Sequence, residues 1–260
     1  SRMAEVLNRV IEKAFRGSAP AQINVPRDYW TQVIDIELPP IVRFERQGGG
    51  KEAIENAAKL LSKAKFPVIL SGAGVVLGGA IDECKKLAEK LDAPVCNGYQ
   101  HNDSFPGSHP LAVGPLGYNG SKAAMELISK ADVVLALGTR LNPFSTLPGY
   151  GIDYWPKKAT IIQVDMNPDR IGLTKKVSVG ICGDAKQVAQ QILDKLSSDA
   201  GNTGREERKN LIHKTKSAWL QTLSGLDHEE DDPGTVWNKE ARERDKDRMS
   251  PRQAWRAIQD

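Results

Sequence analysis

Hydrophobic residues in the middle of the chain form short continuous runs, such as VIL at 68–70 and VVLAL at 133–137. Runs of this kind are typical of strands that are buried on both faces of a parallel sheet. The pattern predicts five strands, at residues 67–71, 94–97, 132–137, 160–165 and 177–181.

Amphipathic segments separate these strands. Their apolar residues recur at three- and four-residue spacing, which predicts helices. The predicted helices lie near residues 54–61, 81–91, 124–128 and 188–196. Strands that alternate with helices indicate parallel pairing. The predicted fold class is therefore α/β, a doubly wound and mostly parallel sheet with helices on both faces, over residues 48–198.

The first thirty residues have a different organisation. A clean helical pattern at their start is carried by Met3, Val6, Leu7, Val10, Ile11 and Ala14. Residues 21–25 then predict a short strand, which Pro26 ends. Because such a strand needs a sheet to join, we interpret residues 1–30 as the last piece of a domain that begins upstream. Residues 31–47, with Pro39 and Pro40, are interpreted as a linker.

The chain changes character again after Ala200. Residues 199–248 are rich in both charges and are interpreted as a charged linker that contains one helix, at 205–223. Ser250 and Pro251 suit the N-cap and first position of a further helix. Residues 249–260 are therefore interpreted as the start of another domain, and the chain as cut at both ends.

Composition excludes several classes of partner. Lys and Arg total 36 against 33 Asp and Glu, a net charge of +3, which gives no reason to expect nucleic acid. The three cysteines share no CxxC spacing, which argues against a disulfide framework or a zinc site and favours the reducing cytoplasm. No apolar run approaches the ~20 residues of a membrane span.

Gly72-Ala73-Gly74 follows the first strand and precedes a helix. Phosphate-binding turns occupy this position in nucleotide-binding folds. Here the spacing is GxGxxxG, one residue longer than the dinucleotide fingerprint, and the second strand ends in Asn97 rather than an acidic residue. NAD(P) binding is therefore disfavoured, and a tight turn or an adapted nucleotide loop remain the alternatives.

A second group of candidates lies at the ends of later strands. Arg140, after Gly138 and Thr139, offers a rigid fork of donors suited to phosphate at the edge where ligands bind in open sheets. Asp165 and Asp184 follow two further strands. Each has a local alternative, because Asp165 can anchor its own loop and Asp184 can cap the next helix. The predicted nucleotide or anion site comprises Gly72, Gly74, Gly138, Thr139, Arg140, Asp165 and Asp184.

The segment 97–121 is long and contains His101 and His109. Long loops inside compact domains are often functional. The two histidines lack ligand spacing and a cysteine partner, so solvent-exposed loop histidines are expected rather than a metal site.

The ordered segments GAG at 72–74, ALGTR at 136–140, IQVDMNP at 162–168 and ICGDA at 181–185 resemble the central domain of thiamine-diphosphate (ThDP) enzymes. The resemblance is to the acetolactate synthase and pyruvate oxidase superfamily. The flanking segments DHEEDDPGTV at 227–236 and MSPRQAWRAIQ at 249–259 resemble one branch of it, the sulfoacetaldehyde acetyltransferases. The resemblance makes 1–30 the end of the pyrimidine-binding domain and 249–260 the beginning of the diphosphate-binding domain.

The resemblance also implies a function. Members of the branch use ThDP and Mg²⁺ to convert sulfoacetaldehyde and phosphate to acetyl phosphate and sulfite, without FAD. The family's GDG motif and paired asparagines are absent from this chain, and its activating glutamate lies upstream of Ser1. We therefore expect no catalytic or metal-binding residue in this chain, with ThDP and Mg²⁺ bound by the remaining ThDP-binding domains of a homo-oligomeric enzyme. The alternatives are an FAD-binding central domain of an acetolactate synthase-type enzyme and a free-standing nucleotide-binding module.

Overall fold

The computed structural model of the protein describes residues 2–17, 19–35, 37, 45–225 and 258. Seven α-helices lie within this part of the chain: α1 Met3–Gly17, α2 Lys51–Lys63, α3 Ala73–Gly78, α4 Ile81–Leu91, α5 Lys122–Ile128, α6 Ala185–Lys195 and α7 Arg205–Gly225. The stretch 226–248 and, apart from Ile258, the predicted start of a further domain at 249–260 lie outside the described residues.

The strands form one parallel sheet in the order β3-β2-β1-β4-β5-β6. Their bounds are β1 Pro67–Ser71, β2 Val95–Asn97, β3 Ala112–Pro115, β4 Val133–Leu137, β5 Thr160–Asp165 and β6 Val179–Cys182. In the centre, Ile69 of β1 pairs with Val95 of β2 on one side and with Leu135 of β4 on the other. The chain reverses direction across the sheet between β1 and β4, which makes that gap the topological switch point.

The continuous apolar runs form strands that are buried on both faces, as expected. All five residues of β1 and of β4 are buried. On one side of the sheet, α2 and α4 both pack against α6, while α5 packs against α7. The crossovers from β1 to β2 and from β3 to β4 run in opposite directions, so right-handed connections place α4 and α5 on opposite faces. The predicted α/β class is confirmed.

Two predictions about individual strands were wrong. The edge strand β3 was missed because it is short, contains Gly114 and Pro115, and pairs with β2 through an irregular register. The strand predicted at 21–25 is absent, since these residues adopt no regular structure. An extended segment becomes a strand only through backbone hydrogen bonds to a neighbour, and no described strand pairs with it.

The C-terminal helix is part of the packed structure. The predicted helix at 205–223 is confirmed as α7, and Arg208, Ile212 and Thr215 on it are buried. The packing therefore continues past residue 198, where the central domain was predicted to end. No helix among the described residues is long and apolar enough to cross a bilayer.

Candidate functional site

The switch point between β1 and β4 brings four of the predicted site residues together. Gly72 and Gly74 follow β1, and Gly138 and Thr139 follow β4. The two turns are in direct contact, because the backbone N–H of Gly74 donates to the carbonyl of Gly138 at 2.8 Å and that of Gly72 donates to Leu137 at 3.1 Å. The crevice where open sheets usually bind ligands is therefore closed at its base by the protein's own backbone.

This contact explains the glycines. A Cβ added to Gly72 would lie 2.5 Å from the Thr139 Cβ, and one added to Gly74 would lie 2.7 Å from the Gly138 Cα. The helix that follows, α3, has only six residues. The tight-turn alternative is thus the one that the geometry of Gly72 and Gly74 supports, since the Gly74 N–H that a phosphate would need is already bonded.

The turn after β4 is also held from the other side. The backbone N–H of Gly138, which has φ +60°, donates to Val164, and the Thr139 carbonyl accepts from the side chain of Gln163 at 3.1 Å. Gln163 is buried and also contacts the loop after β5, where its Oε1 accepts from the Gly172 N–H at 2.8 Å. Sequence reasoning missed this residue, although an amide inside the apolar strand TIIQVD is a visible signal.

Arg140 lies exposed beside these turns. Within the described part of the chain, its guanidinium makes no hydrogen bond or ion pair. It is therefore a cation at the carboxyl edge of the sheet whose donors are available to an anion from solvent.

The two aspartates have local roles. Asp165 is buried, and its Oδ1 accepts from the Asn167 N–H at 2.8 Å, so it anchors its own loop. Asp184 caps α6, because its Oδ1 accepts from the N–H groups of Lys186 and Gln187, each at 3.1 Å. The two local alternatives are confirmed.

Arg46 holds Asp184 from the other side. Its Nη1 donates to Asp184 Oδ2 at 3.1 Å and to the carbonyl of Gly78, at the end of α3, at 2.6 Å. Asp184 therefore lies with Arg46 and Gly78 in a separate contact that fixes the segment before α2. Arg46 falls in the predicted linker at 31–47, and sequence reasoning gave it no role.

The loops at the carboxyl edge carry a group of exposed aromatic side chains. Tyr118, Phe144 and Tyr150 are 58%, 58% and 55% exposed, and the rings of Tyr99 and Phe144 stack with centroids 6.4 Å apart. The backbone there is unusual. Of the five described non-glycine residues with positive φ, four lie in these loops: Gln100, Asn119, Leu141 and Tyr150. Clusters of this kind are found at functional sites.

Comparison with known proteins places this geometry in a family. Residues 54–192, more than half of the chain, match the thiamine pyrophosphate enzyme central domain. The chain belongs to this family. It is 78% identical over 259 residues to a probable sulfoacetaldehyde acetyltransferase of Rhizobium meliloti and 76% identical to a sulfoacetaldehyde acetyltransferase of Roseovarius nubinhibens. The alignments cover the whole of this chain. They cover only 44% and 43% of the length of those two relatives.

More distant proteins agree on the fold. A probable acetolactate synthase large subunit of Methanocaldococcus jannaschii is 35% identical over 80% of the chain and 34% of its own length. The crystal structure of a benzoylformate decarboxylase from Polynucleobacter necessarius superposes with a TM-score of 0.57, at 24% identity, over 69% of this chain and 33% of that one.

The two loop histidines differ in exposure, and His109 packs against its neighbours. His109 Nδ1 accepts from the Leu111 N–H and its Nε2 lies 3.2 Å from Glu89 Oε1, with the ring edge against Phe105. The expectation of a solvent-exposed histidine was wrong for His109, whose side chain is only 14% exposed. His101 is more exposed and lies 3.9 Å from Asp103.

Among the described residues, the acidic, histidine and cysteine side chains form no metal site of their own. The cofactor's diphosphate needs a cation held by converging oxygen ligands. Across the described ranges no three His, Cys, Asp or Glu side chains converge in a way that could hold a metal ion.

Proposed function

We propose that this chain is the central region of a ThDP-dependent sulfoacetaldehyde acetyltransferase, an enzyme that converts sulfoacetaldehyde and phosphate to acetyl phosphate and sulfite. The observation that carries the proposal is the 78% and 76% identity to two such relatives over essentially the whole chain. The chain spans less than half of their length, so the activity belongs to the larger protein.

Within that enzyme the chain acts as a scaffold and supplies no catalytic residue. When it is bound, ThDP supplies the carbanion-stabilising chemistry that carbon–sulfur bond cleavage and acetyl transfer to phosphate require. We place ThDP and Mg²⁺ in the regions that correspond to the rest of the relatives' length, because the family's GDG motif and paired asparagines are absent from this sequence. The partners of this chain are those ThDP-binding regions, in a homo-oligomeric, cytoplasmic enzyme of sulfonate metabolism.

The alternative is a central domain of an acetolactate synthase-type enzyme that binds FAD. Two observations argue against it: the identity to the acetolactate synthase relative is 35% rather than 78%, and the Gly74 N–H at the switch point is already bonded to Gly138. We propose that no flavin is bound. An anion that binds at this edge would contact Arg140. Of the site predicted from the sequence, we retain a weak nucleotide or phosphate site at Arg140.

The test is enzymatic and uses the reading frame that encodes this sequence together with its flanking DNA. The purified product is assayed for sulfite and acetyl phosphate from sulfoacetaldehyde and phosphate, with and without ThDP and Mg²⁺. A parallel reaction with pyruvate is assayed for acetolactate. ThDP-dependent release of sulfite supports the proposal. Formation of acetolactate without sulfite would show instead that the chain belongs to an acetolactate synthase-type enzyme.

A further inference from the structure

The helix α7 packs against α5 and contacts segments at both edges of the sheet. At its beginning, the buried guanidinium of Arg208 donates to five backbone carbonyls at 2.5–2.9 Å, those of Lys65, Leu91, Asp92, Gly201 and Thr203. A guanidinium has five N–H donors, and all of them are used. Since Lys65 precedes β1 and Asp92 precedes β2, Arg208 fixes α7 at the amino edge of the sheet.

The contacts of α7 then pass from the amino edge to the carboxyl edge. Lys216 still lies at the amino edge, where its Nζ donates to the carbonyl of Pro110, just before β3, at 2.8 Å. One turn later, the ring of Trp219 meets the ring of Tyr150 edge-on, with centroids 5.6 Å apart. Tyr150 in turn donates its hydroxyl to the carbonyl of Gly120 at 2.9 Å. Trp219 thus lies at the end of a short chain of contacts that joins α7 to two carboxyl-edge loops.

Those loops depend on one another. The N–H of Tyr118 donates to the Phe144 carbonyl at 3.3 Å, and the N–H of Tyr99 donates to the Ser145 hydroxyl at 3.3 Å. Positive φ values at Asn119 and Tyr150 cost free energy that only surrounding contacts offset. The three aromatic rings of these loops are each more than half exposed, so these side chains bury little surface to offset that cost.

We propose that α7 is a strap that holds the carboxyl-edge loops in order, fixed at the amino edge by Arg208 and joined to the loops through the Trp219–Tyr150 contact. The order of residues 117–121 and 142–152 is then set by a helix that lies outside the βα units of the sheet. Any molecule that binds at this edge meets loops whose stability depends on α7, so contacts made by α7 modulate that binding.

Hydrogen exchange measured by mass spectrometry on the 260-residue chain tests the strap. Trp219→Ala is compared with Leu220→Ala, because Leu220 is the next residue on α7 and is 58% exposed. In Trp219→Ala, peptides that cover 117–121 and 142–152 should exchange roughly two- to tenfold faster, the factor that corresponds to loss of one aromatic pair. Peptides of β1 and β4 should be unchanged, and Leu220→Ala should match the unaltered chain.

A double-mutant cycle makes the test specific to the contact. Tyr150→Ala alone should speed exchange in the same peptides, and Trp219→Ala added to it should have little further effect, because residues in contact are not additive. Additive effects, equal effects of Leu220→Ala and Trp219→Ala, or faster exchange spread evenly over the whole sheet would each overturn the proposal.

Discussion

The backbone N–H of Gly74 donates to the carbonyl of Gly138 across the switch point, at 2.8 Å. This bond joins the turn after β1 to the turn after β4, the two segments between which a doubly wound fold normally binds its ligand. The glycines that suggested a phosphate turn in the sequence serve a backbone-to-backbone contact in the structure. Glycine permits close approach both in a phosphate-binding turn and in a contact between two backbone segments. The sequence alone therefore could not distinguish these two roles.

Substitution of Gly138 measures how much that contact matters. Gly138 and Gly79 have nearly the same φ, +60° and +65°, but an added Cβ at Gly138 would lie 2.7 Å from the Gly74 Cα, whereas nothing lies within 4 Å of one at Gly79. Gly79→Ala should lower the free energy of unfolding by about 1–2 kcal/mol, the cost of the left-handed backbone alone. Gly138→Ala should lower it by about 1–3 kcal/mol more, the usual cost of overpacking.

Urea unfolding of the two variants gives the comparison, with equal slopes showing that the unfolded states are alike. Equal destabilisation by both substitutions would mean that the two turns separate at little cost and that the crevice can open.

Removal of the Arg208 side chain should be the most damaging single change among those considered for α7. Its five carbonyl acceptors would lose their partner in a buried position. Arg208→Ala should lower the free energy of unfolding by about 3–5 kcal/mol. Lys209→Ala, which removes the same charge from a more exposed neighbour on α7, should change it by less than about 0.5 kcal/mol. A small effect of Arg208→Ala in chemical denaturation would show that α7 is peripheral to the domain.

The three cysteines should differ in reactivity. Burial raises the pKa of the Cys84 thiol to about 12 and raises the pKa of Cys96 as well, whereas Cys182 is partly exposed. Since the thiolate is the nucleophile, a thiol reagent at pH 8 should label one cysteine in the native chain and three after unfolding in urea. Cys182→Ser should abolish the native labelling. Labelling of a second site in that variant would show that the domain opens around β2 or α4.

Arg140 should account for any nucleotide affinity at the carboxyl edge. Its guanidinium has no partner among the described residues, so an anion would gain a charge-assisted bond worth about 1.5–3 kcal/mol. Titration of ADP followed by chemical shifts should show weak binding that Arg140→Ala reduces at least about tenfold. Lys130→Ala, which removes a positive charge just before β4 at the opposite edge, should leave the affinity unchanged. Equal binding by the unaltered chain and Arg140→Ala would remove Arg140 from the site.

Much of the fold could be predicted because its signals are local. The runs that became β1 and β4 are apolar on both faces, and the helices between the strands repeat their apolar residues at helical spacing. The strand β3 gave no such signal, since only its pairing with β2 distinguishes four residues with a glycine and a proline from a loop. Asp184 as a helix cap was likewise readable, because capping depends on a residue's own position in the chain.

The rest of the candidate site depends on contacts between distant segments. Nothing near Gly74 in the sequence indicates that Gly138 lies against it, and nothing near Arg208 indicates that it would bond to carbonyls more than a hundred residues away. Arg208 looked like one charge among many in a polar helix. An arginine on such a helix indicates a buried contact only when it is known which face of the helix packs against the domain.

The most direct test of the account is a hybrid enzyme. In the Roseovarius nubinhibens relative, the segment that aligns with this chain over 259 residues is replaced by this chain, and the sulfoacetaldehyde acetyltransferase activity of the hybrid is measured with ThDP and Mg²⁺. If this chain is the central region of the same kind of enzyme, the hybrid should release sulfite at a rate comparable to that of the relative. A hybrid that folds and binds ThDP like the relative but releases no sulfite would contradict the proposal.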